Sequence, residues 1–242
     1  IVVDQTPIMD ITFNDNDTVY EDWIEKYVPE DLNSKDHLAY VRGYSDGTIK
    51  PNNNVTRAET ATMLYRLLTD ARRAEIRTTQ NPFSDVSADV WYNEAVSTMA
   101  NGRYITGYKD GSFGGDRYIS RAEFITMLVR FVGVNKAECS FTDVEKNHWA
   151  YDYIATATAA GWISGYSDHT FKPNQLITRA EAMTIINRVL NRGVNEGSVL
   201  LNFKYFPDNL PSDWFYYEVI EATNSHKYTG KRPSEDWTAL YD

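Results

Sequence analysis

The chain has 242 residues, of which 42% are hydrophobic and 24% charged, with a formal net charge of -10. That balance suits a soluble chain with room for a substantial core, and it excludes nucleic-acid binding through a general basic field. No apolar run approaches the length of a bilayer-spanning helix, and a lone cysteine, Cys139, rules out an internal disulfide or a Cys-rich metal framework.

The N-terminal stretch, residues 1–30, reads as a linker or extension. Ile1-Val2-Val3 with Ile8, Ile11 and Phe13 fits a strand or an extended linker, and Tyr20, Trp23, Ile24 and Tyr27 fit a turn of helix packed on the body. The chain starts at Ile1 rather than Met and carries no signal-peptide pattern, so it reads as a mature or excised piece of something longer. Asn14-Asp15-Asn16-Asp17 has the composition of a calcium loop but lacks a bidentate glutamate at the proper distance.

From there the chain repeats. Gly43-Tyr44-Ser45-Asp46-Gly47, Gly107-Tyr108-Lys109-Asp110-Gly111 and Gly165-Tyr166-Ser167-Asp168-His169 are copies of one turn. Fourteen residues after each opening glycine comes an arginine, within Thr56-Arg57-Ala58-Glu59, Ser120-Arg121-Ala122-Glu123 and Thr178-Arg179-Ala180-Glu181. The arginines are 64 and 58 residues apart, the mark of an array of one supersecondary unit. Each phrase is a capping box before an apolar helical run. The glutamates are accounted for by capping, so catalysis is not expected of them. The arginine occupies the first helical position, where the helix already carries partial positive charge. That placement, made three times, points to a carboxylate or phosphate ligand held by guanidinium and free helix amides. An exposed ion pair with a nearby aspartate is the plainer reading. If the ligand reading holds, changing Arg57, Arg121 and Arg179 to Ala leaves folding intact and abolishes binding.

A second phrase precedes each turn: Phe83-Ser84-Asp85, Phe141-Thr142-Asp143 and Phe206-Pro207-Asp208, each followed eight residues later by Trp91, Trp149 or Trp214. Trp91, Ala95 and Met99, like Trp149, Tyr153 and Ala157, fall at helical spacing, so short helices begin at the tryptophans. Core packing accounts for the three indoles, and an indole edge lining a groove is the alternative. Asp46, Asp110 and Asp168 fit turn chemistry, bonding amides two residues on, better than calcium binding, since no copy has the ligand ladder. The capped helices carry apolar faces at Met63, Leu64, Leu67 and Leu68, at Phe124, Ile125, Leu128 and Phe131, and at Met183, Ile185, Ile186, Val189 and Leu190. Gly133 and Gly193 read as their stops. None of the three helices can bury its stripe alone, so they are expected to pack on one another.

The first unit lacks its short helix and the last lacks its turn and capped helix. Residues 206–226 are therefore expected to fold back and complete the first unit. The four histidines, His37, His148, His169 and His226, show no metal-binding spacing, and neither a metal nor a cofactor is expected.

These phrases resemble the S-layer homology family, whose pattern runs F-x-D, W-A, a short helix, G-Y-x-D-G-x-F-x-P, a loop, I-T-R-A-E and a helix ending in arginine. The third unit matches best, through Phe141, Asp143, Trp149, Ala150, Gly165, Tyr166, Asp168, Phe171, Pro173, Ile177, Thr178, Arg179, Ala180, Glu181 and Arg188. The resemblance covers roughly residues 38–230. It implies an all-α fold, a pseudo-threefold spindle of helix-loop-helix repeats around a central three-helix bundle, the ring here closed by the C-terminal half-repeat. The repeats would span 31–80, 81–136 and 137–197, with 198–242 as the half-repeat, all one domain. It implies a non-enzymatic anchor on a bacterial cell wall or S-layer, holding a secondary cell-wall polysaccharide with a pyruvate-ketal sugar in grooves between repeats. The family's ligand-contacting arginine carries over to Arg57, Arg121 and Arg179. Tyr44, Tyr108 and Tyr166, Gly47 and Gly111, and Trp91, Trp149 and Trp214 complete the candidate carbohydrate-binding set. The tyrosines serve either as core or as sugar platforms. Gly114-Gly115-Asp116 in the second unit and His169 in the third depart from the pattern, so the grooves need not be equal. The competing readings are a protein–protein lattice module that binds no glycan and a glycan hydrolase, the latter lacking a second carboxylate at a defined separation. Neither a nucleic acid nor a membrane is expected as a partner.

Overall fold

The computed structural model describes residues 27–241. Among them the chain is mainly helical: α1 (Arg57–Leu67), α2 (Asp70–Ile76), α3 (Asn93–Asn101), α4 (Arg121–Val129), α5 (Tyr151–Ala159), α6 (Arg179–Val189) and α7 (Tyr216–Thr223), followed by an antiparallel hairpin of β1 (His226–Lys231) and β2 (Ser234–Leu240). The hairpin departs from the all-α expectation, and Gly230, which follows Trp214 by the same sixteen residues that separate Trp91 from Gly107 and Trp149 from Gly165, lies inside β1. The readings of Ile1 to Ile24, the Asn14–Asp17 stretch included, lie outside the described residues. Among the described residues no helix is long and apolar enough to cross a membrane.

Helices α1, α4 and α6 start where the capping boxes place them. Thr56, Ser120 and Thr178 accept from the amides of Glu59, Glu123 and Glu181, and each glutamate returns a bond to the cap amide. Helices α4 and α6 end at Val129 and Val189, four residues before the glycines read as stops. Each capped helix pairs with a short one: α1 with α3, α4 with α5, α6 with α7. The buried faces include Leu64, Phe124, Ile125, Leu128, Ile154, Ile186 and Val219, all fully enclosed. Helix α2, capped by Thr69, carries no repeat signal and packs on α3.

The residues just before the three caps bond in a closed circuit. The Val55 amide donates to Ile177 O (3.1 Å), the Ile177 amide to Ile119 O (3.2 Å) and the Ile119 amide to Val55 O (3.1 Å). All three side chains are completely buried. The next amides run the opposite way round. Those of Arg57 and Ala58 donate to Arg117 O and Gly115 O, those of Arg121 and Ala122 to Gln175 O and Pro173 O, and those of Arg179 and Ala180 to Asn53 O and Pro51 O.

The aspartates of the Phe-x-Asp phrases clamp loops. Asp85 accepts from the amides of Phe113 and Gly114, Asp143 from Phe171 and Lys172, and Asp208 from Ile49 and Lys50. The accompanying phenylalanine explains the turn glycine. A Cβ on Gly43, Gly107 or Gly165 would stand 2.3, 2.7 or 2.3 Å from the ring of Phe206, Phe83 or Phe141. Asp208 thus bonds to the loop before α1, some 158 residues upstream.

Candidate functional site

The three repeated arginines share one geometry. Arg57, Arg121 and Arg179 are 4%, 6% and 3% exposed. Each reaches from the start of its helix to the following unit along the chain, the third closing onto the first. Nε donates to the carbonyl of Phe113, Phe171 or Ile49 at 2.8–2.9 Å. Nη1 donates to Oε1 of Glu123, Glu181 or Glu59 at 3.3, 3.0 and 3.0 Å. The same oxygen accepts from the phenol of Tyr108, Tyr166 or Tyr44, while Oε2 holds the cap amide. Each guanidinium also lies over its tyrosine ring, 4.6–4.9 Å from the centroid. Burial, with the adjacent glutamate, pushes the Tyr44 phenol up to about 12, and burial pushes Tyr166 to the same value and raises Tyr108. The phenols therefore stay protonated and donate. Burial also lowers Arg57 from its ordinary value, with Tyr108 and Glu123 opposing the shift.

Two expectations change. The helix amides are not free, because loop carbonyls of the next unit take the first two and the cap takes the third. The arginines are also not loosely held, so removing all three cannot be neutral for folding. Sequence reasoning placed the guanidinium beside its own helix end. The side chain instead extends across to an acid 60 to 120 residues away.

The tryptophans move the other way. Helices α3, α5 and α7 begin two residues after Trp91, Trp149 and Trp214, and the residues between, Tyr92, Ala150 and Phe215, take the buried places. The indoles are 66%, 58% and 37% exposed, so core packing is excluded as their role. Gly47 and Gly111 hold φ of 81° and 85° at exposed turns, and His169 adopts 61° at the corresponding place. Asp46, Asp110 and Asp168 bond the amides two residues on, as turn chemistry requires.

Around Arg121 the surface opens into a groove of about 400 Å³, counting the solvent at its mouth. Its walls include Arg121, Ser164, Tyr166, Glu181, Arg188 and Trp214. Glu181, Thr184, Ile185 and Arg188 line one face of α6 at helical spacing. The groove sets two guanidiniums, a phenol, two hydroxyls and a half-exposed indole around one carboxylate, a lining able to seat an acidic sugar. Arg188 was visible in the sequence as the arginine ending the helix, without a role. The same positions in the other units are Arg57, Thr106, Tyr108, Glu123, Arg130 and Trp149, and then Arg179, Arg42, Tyr44, Glu59, Arg66 and Trp91. Arg130 bonds the Thr106 hydroxyl, and Arg66 bonds Tyr40 O. Burial lowers the Arg66 pKa, and the Arg42 and Arg179 charges lower it further, so three guanidinium charges act on one another in the third set, where Arg179 is bonded to Glu59.

Residues 37–61, 82–125 and 140–183 match the S-layer homology domain. Cell surface glycoprotein 1 of Acetivibrio thermocellus is 33% identical over 234 residues, 90% of this chain and 10% of that protein. The cellulosome-anchoring protein of the same organism is 36% identical over 208 residues, 83% of this chain and 45% of its own length. An amylopullulanase of Thermoanaerobacterium thermosulfurigenes is 32% identical over 194 residues, 77% of this chain and 10% of the enzyme. The chain therefore spans less than half the length of these relatives.

Proposed function

Because the chain belongs to the S-layer homology family and its place is the outside of the cell, at the wall, we propose that it anchors a surface protein non-covalently by gripping an acidic secondary cell-wall polysaccharide. The groove at Arg121 carries this reading. It joins the buried, pre-positioned Arg121 and the half-buried Arg188 to an exposed indole at its rim. A pyruvate-ketal sugar fits that chemistry, its carboxylate facing the guanidiniums and its ring on the indole. The equivalent positions around Arg57 and Arg179 make two further grooves. The repeats, 31–80, 81–136 and 137–197, and the half-repeat 198–242 form a single spindle-like domain with these grooves between its arms. Grooves that engage neighbouring stretches of one polymer gain strength through effective concentration. Enzymes among the relatives, such as the amylopullulanase, match over a small share of their length, in keeping with a non-catalytic module attached to varied cargo.

The test is co-sedimentation with purified walls before and after chemical removal of pyruvate ketals. Native chain is expected in the pellet, and ketal removal is expected to release it. Because the arginines are structural, the groove variant is Trp91→Ala, Trp149→Ala and Trp214→Ala combined. It should keep its helical circular dichroism while wall affinity falls about tenfold or more, the loss typical of one removed aromatic anchor. Binding that survives ketal removal rejects the pyruvate reading. Unchanged binding by the folded variant rejects the grooves. Concentration-dependent self-association with indifference to walls would support the lattice module instead.

A further inference from the structure

Away from the grooves, the structure gathers four residues that the sequence scatters. His37 lies in the extended segment before the first turn, Glu221 in the last turn of α7, His226 at the start of β1 and Glu235 on β2. Their exposures are 1%, 1%, 0% and 0%. His37 Nδ1 is 3.0 Å from His226 Nε2, 3.0 Å from Glu221 Oε1 and 3.3 Å from Glu235 Oε2. His226 Nε2 is 3.4 Å from Glu221 Oε2. The other nitrogen of His226, Nδ1, faces Asn224 O at 3.0 Å, which holds the proton there and leaves a lone pair on Nε2.

Protons alone satisfy this cluster poorly. His37 Nδ1 faces three acceptors, and one proton can point at only one of them. Among the described residues the two carboxylates have few donors: His37 Nδ1 stands near both, the Trp237 indole faces Glu221, and Arg232 Nε stands 3.3 Å from Glu235 Oε1. Buried carboxylates left so are costly unless a cation sits between them. The flanking guanidiniums of Arg192 and Arg232 favour the two anions from the side, while bonding carbonyls as well: Arg192 those of Asn33 and Asp36, Arg232 that of Ser34.

We propose that His37, Glu221, His226 and Glu235 form a closed structural site for a divalent transition-metal ion, with Zn2+ the best match. Donors on the corners of a tetrahedron with bonds of about 2.0–2.1 Å lie roughly 3.3 Å apart; one ligand atom each of His37, His226 and Glu235 lies within 4.8 Å of the others, and Glu221 approaches the two imidazoles at 3.0 and 3.4 Å through its two oxygens, so a turn of its carboxylate completes the four. Two imidazoles and two carboxylates favour such an ion over Ca2+ or Mg2+, which take oxygen ligands in larger number. Two carboxylates balance the charge of the ion. With four protein donors and complete burial, the site has no open position for substrate and serves structure. It ties the segment before the first turn to α7 and the C-terminal hairpin, so metal binding is linked to folding.

The protein is purified without chelators and its metal content measured by mass spectrometry. It is then stripped and titrated with Zn2+ by calorimetry and with Co2+ by visible absorption. One equivalent per chain, an intense tetrahedral Co2+ band and a higher melting temperature than the stripped protein are expected. Glu221→Gln and His226→Gln are each expected to weaken binding by roughly 100-fold or more, beyond the loss seen for outer-shell changes. The site is overturned if native and stripped protein hold no stoichiometric Zn2+ or Co2+ and melt together. A weak octahedral Co2+ spectrum, or undiminished binding by either variant, overturns it equally. If the variants fail to fold, the wild-type Co2+ spectrum decides.

Discussion

At the scale of single residues, an arginine at a helix start is stabilised by what faces it from the next unit. Arg121 is nearly buried and divides its donors between Phe171 O and Glu181. Arg121→Ala would leave that carboxylate and carbonyl short of partners. Breaking a fully buried pair costs about 3–5 kcal/mol. Glu181 keeps 15% side-chain exposure, so a loss of about 2–3 kcal/mol is expected in urea unfolding, and a change below about 0.5 kcal/mol would show the pairing to be incidental. The turn carboxylates respond to pH. Hydrogen bonds from the Thr48 hydroxyl, Lys50 and the Thr48 amide hold Asp46 down at about 2, from an ordinary 3.8. Its folded pKa lies below its unfolded one, so its contribution is complete above the unfolded value and is lost as pH falls towards about 2. A carboxyl NMR titration should place its midpoint near 2, and a midpoint near 4 would mean that the turn does not hold the carboxylate.

At the scale of elements, three Phe-x-Asp phrases do one job. Each aspartate clamps two loop amides, and the phenylalanine packs against the turn glycine. Asp143→Ala and Asp208→Ala are each expected to lower stability by about 1–3 kcal/mol, read as a drop in melting temperature. If Asp208→Ala were neutral beside a damaging Asp143→Ala, the segment carrying Asp208 would not be integral to the first unit. The elements legible in the sequence were those set by near neighbours. Thr178-x-x-Glu181 caps within one turn, and Asp168 bonds the amide two residues on, so spacing alone declares them. The start of each short helix was misread by two residues, because Trp149 and the buried Ala150 are adjacent and periodicity favoured the larger side chain. The Arg179–Glu59 pair and the His37–His226 contact join residues 120 and 189 positions apart, and no local pattern encodes such distances. Within the hairpin after α7 only Gly230 kept the spacing of the repeat, and nothing in that spacing signals a strand.

At the scale of the whole molecule, every capped helix depends on a loop from another unit for its first amides and on a glutamate from that unit for its arginine. Stability is therefore shared and not summed unit by unit as in an open solenoid. Urea unfolding followed by far-ultraviolet circular dichroism and by tryptophan fluorescence is expected to give coincident single transitions. Separate midpoints would mean that the units fold independently.

The circuit through Val55, Ile119 and Ile177 also limits how such a chain can change in length. Each backbone amide in it has one designated carbonyl, and the third hands back to the first. Excising one member leaves a donor facing nothing, and inserting a fourth forces the loop open. Copy number in this ring is thereby locked by geometry, and a fourth repeat has no place in the circuit.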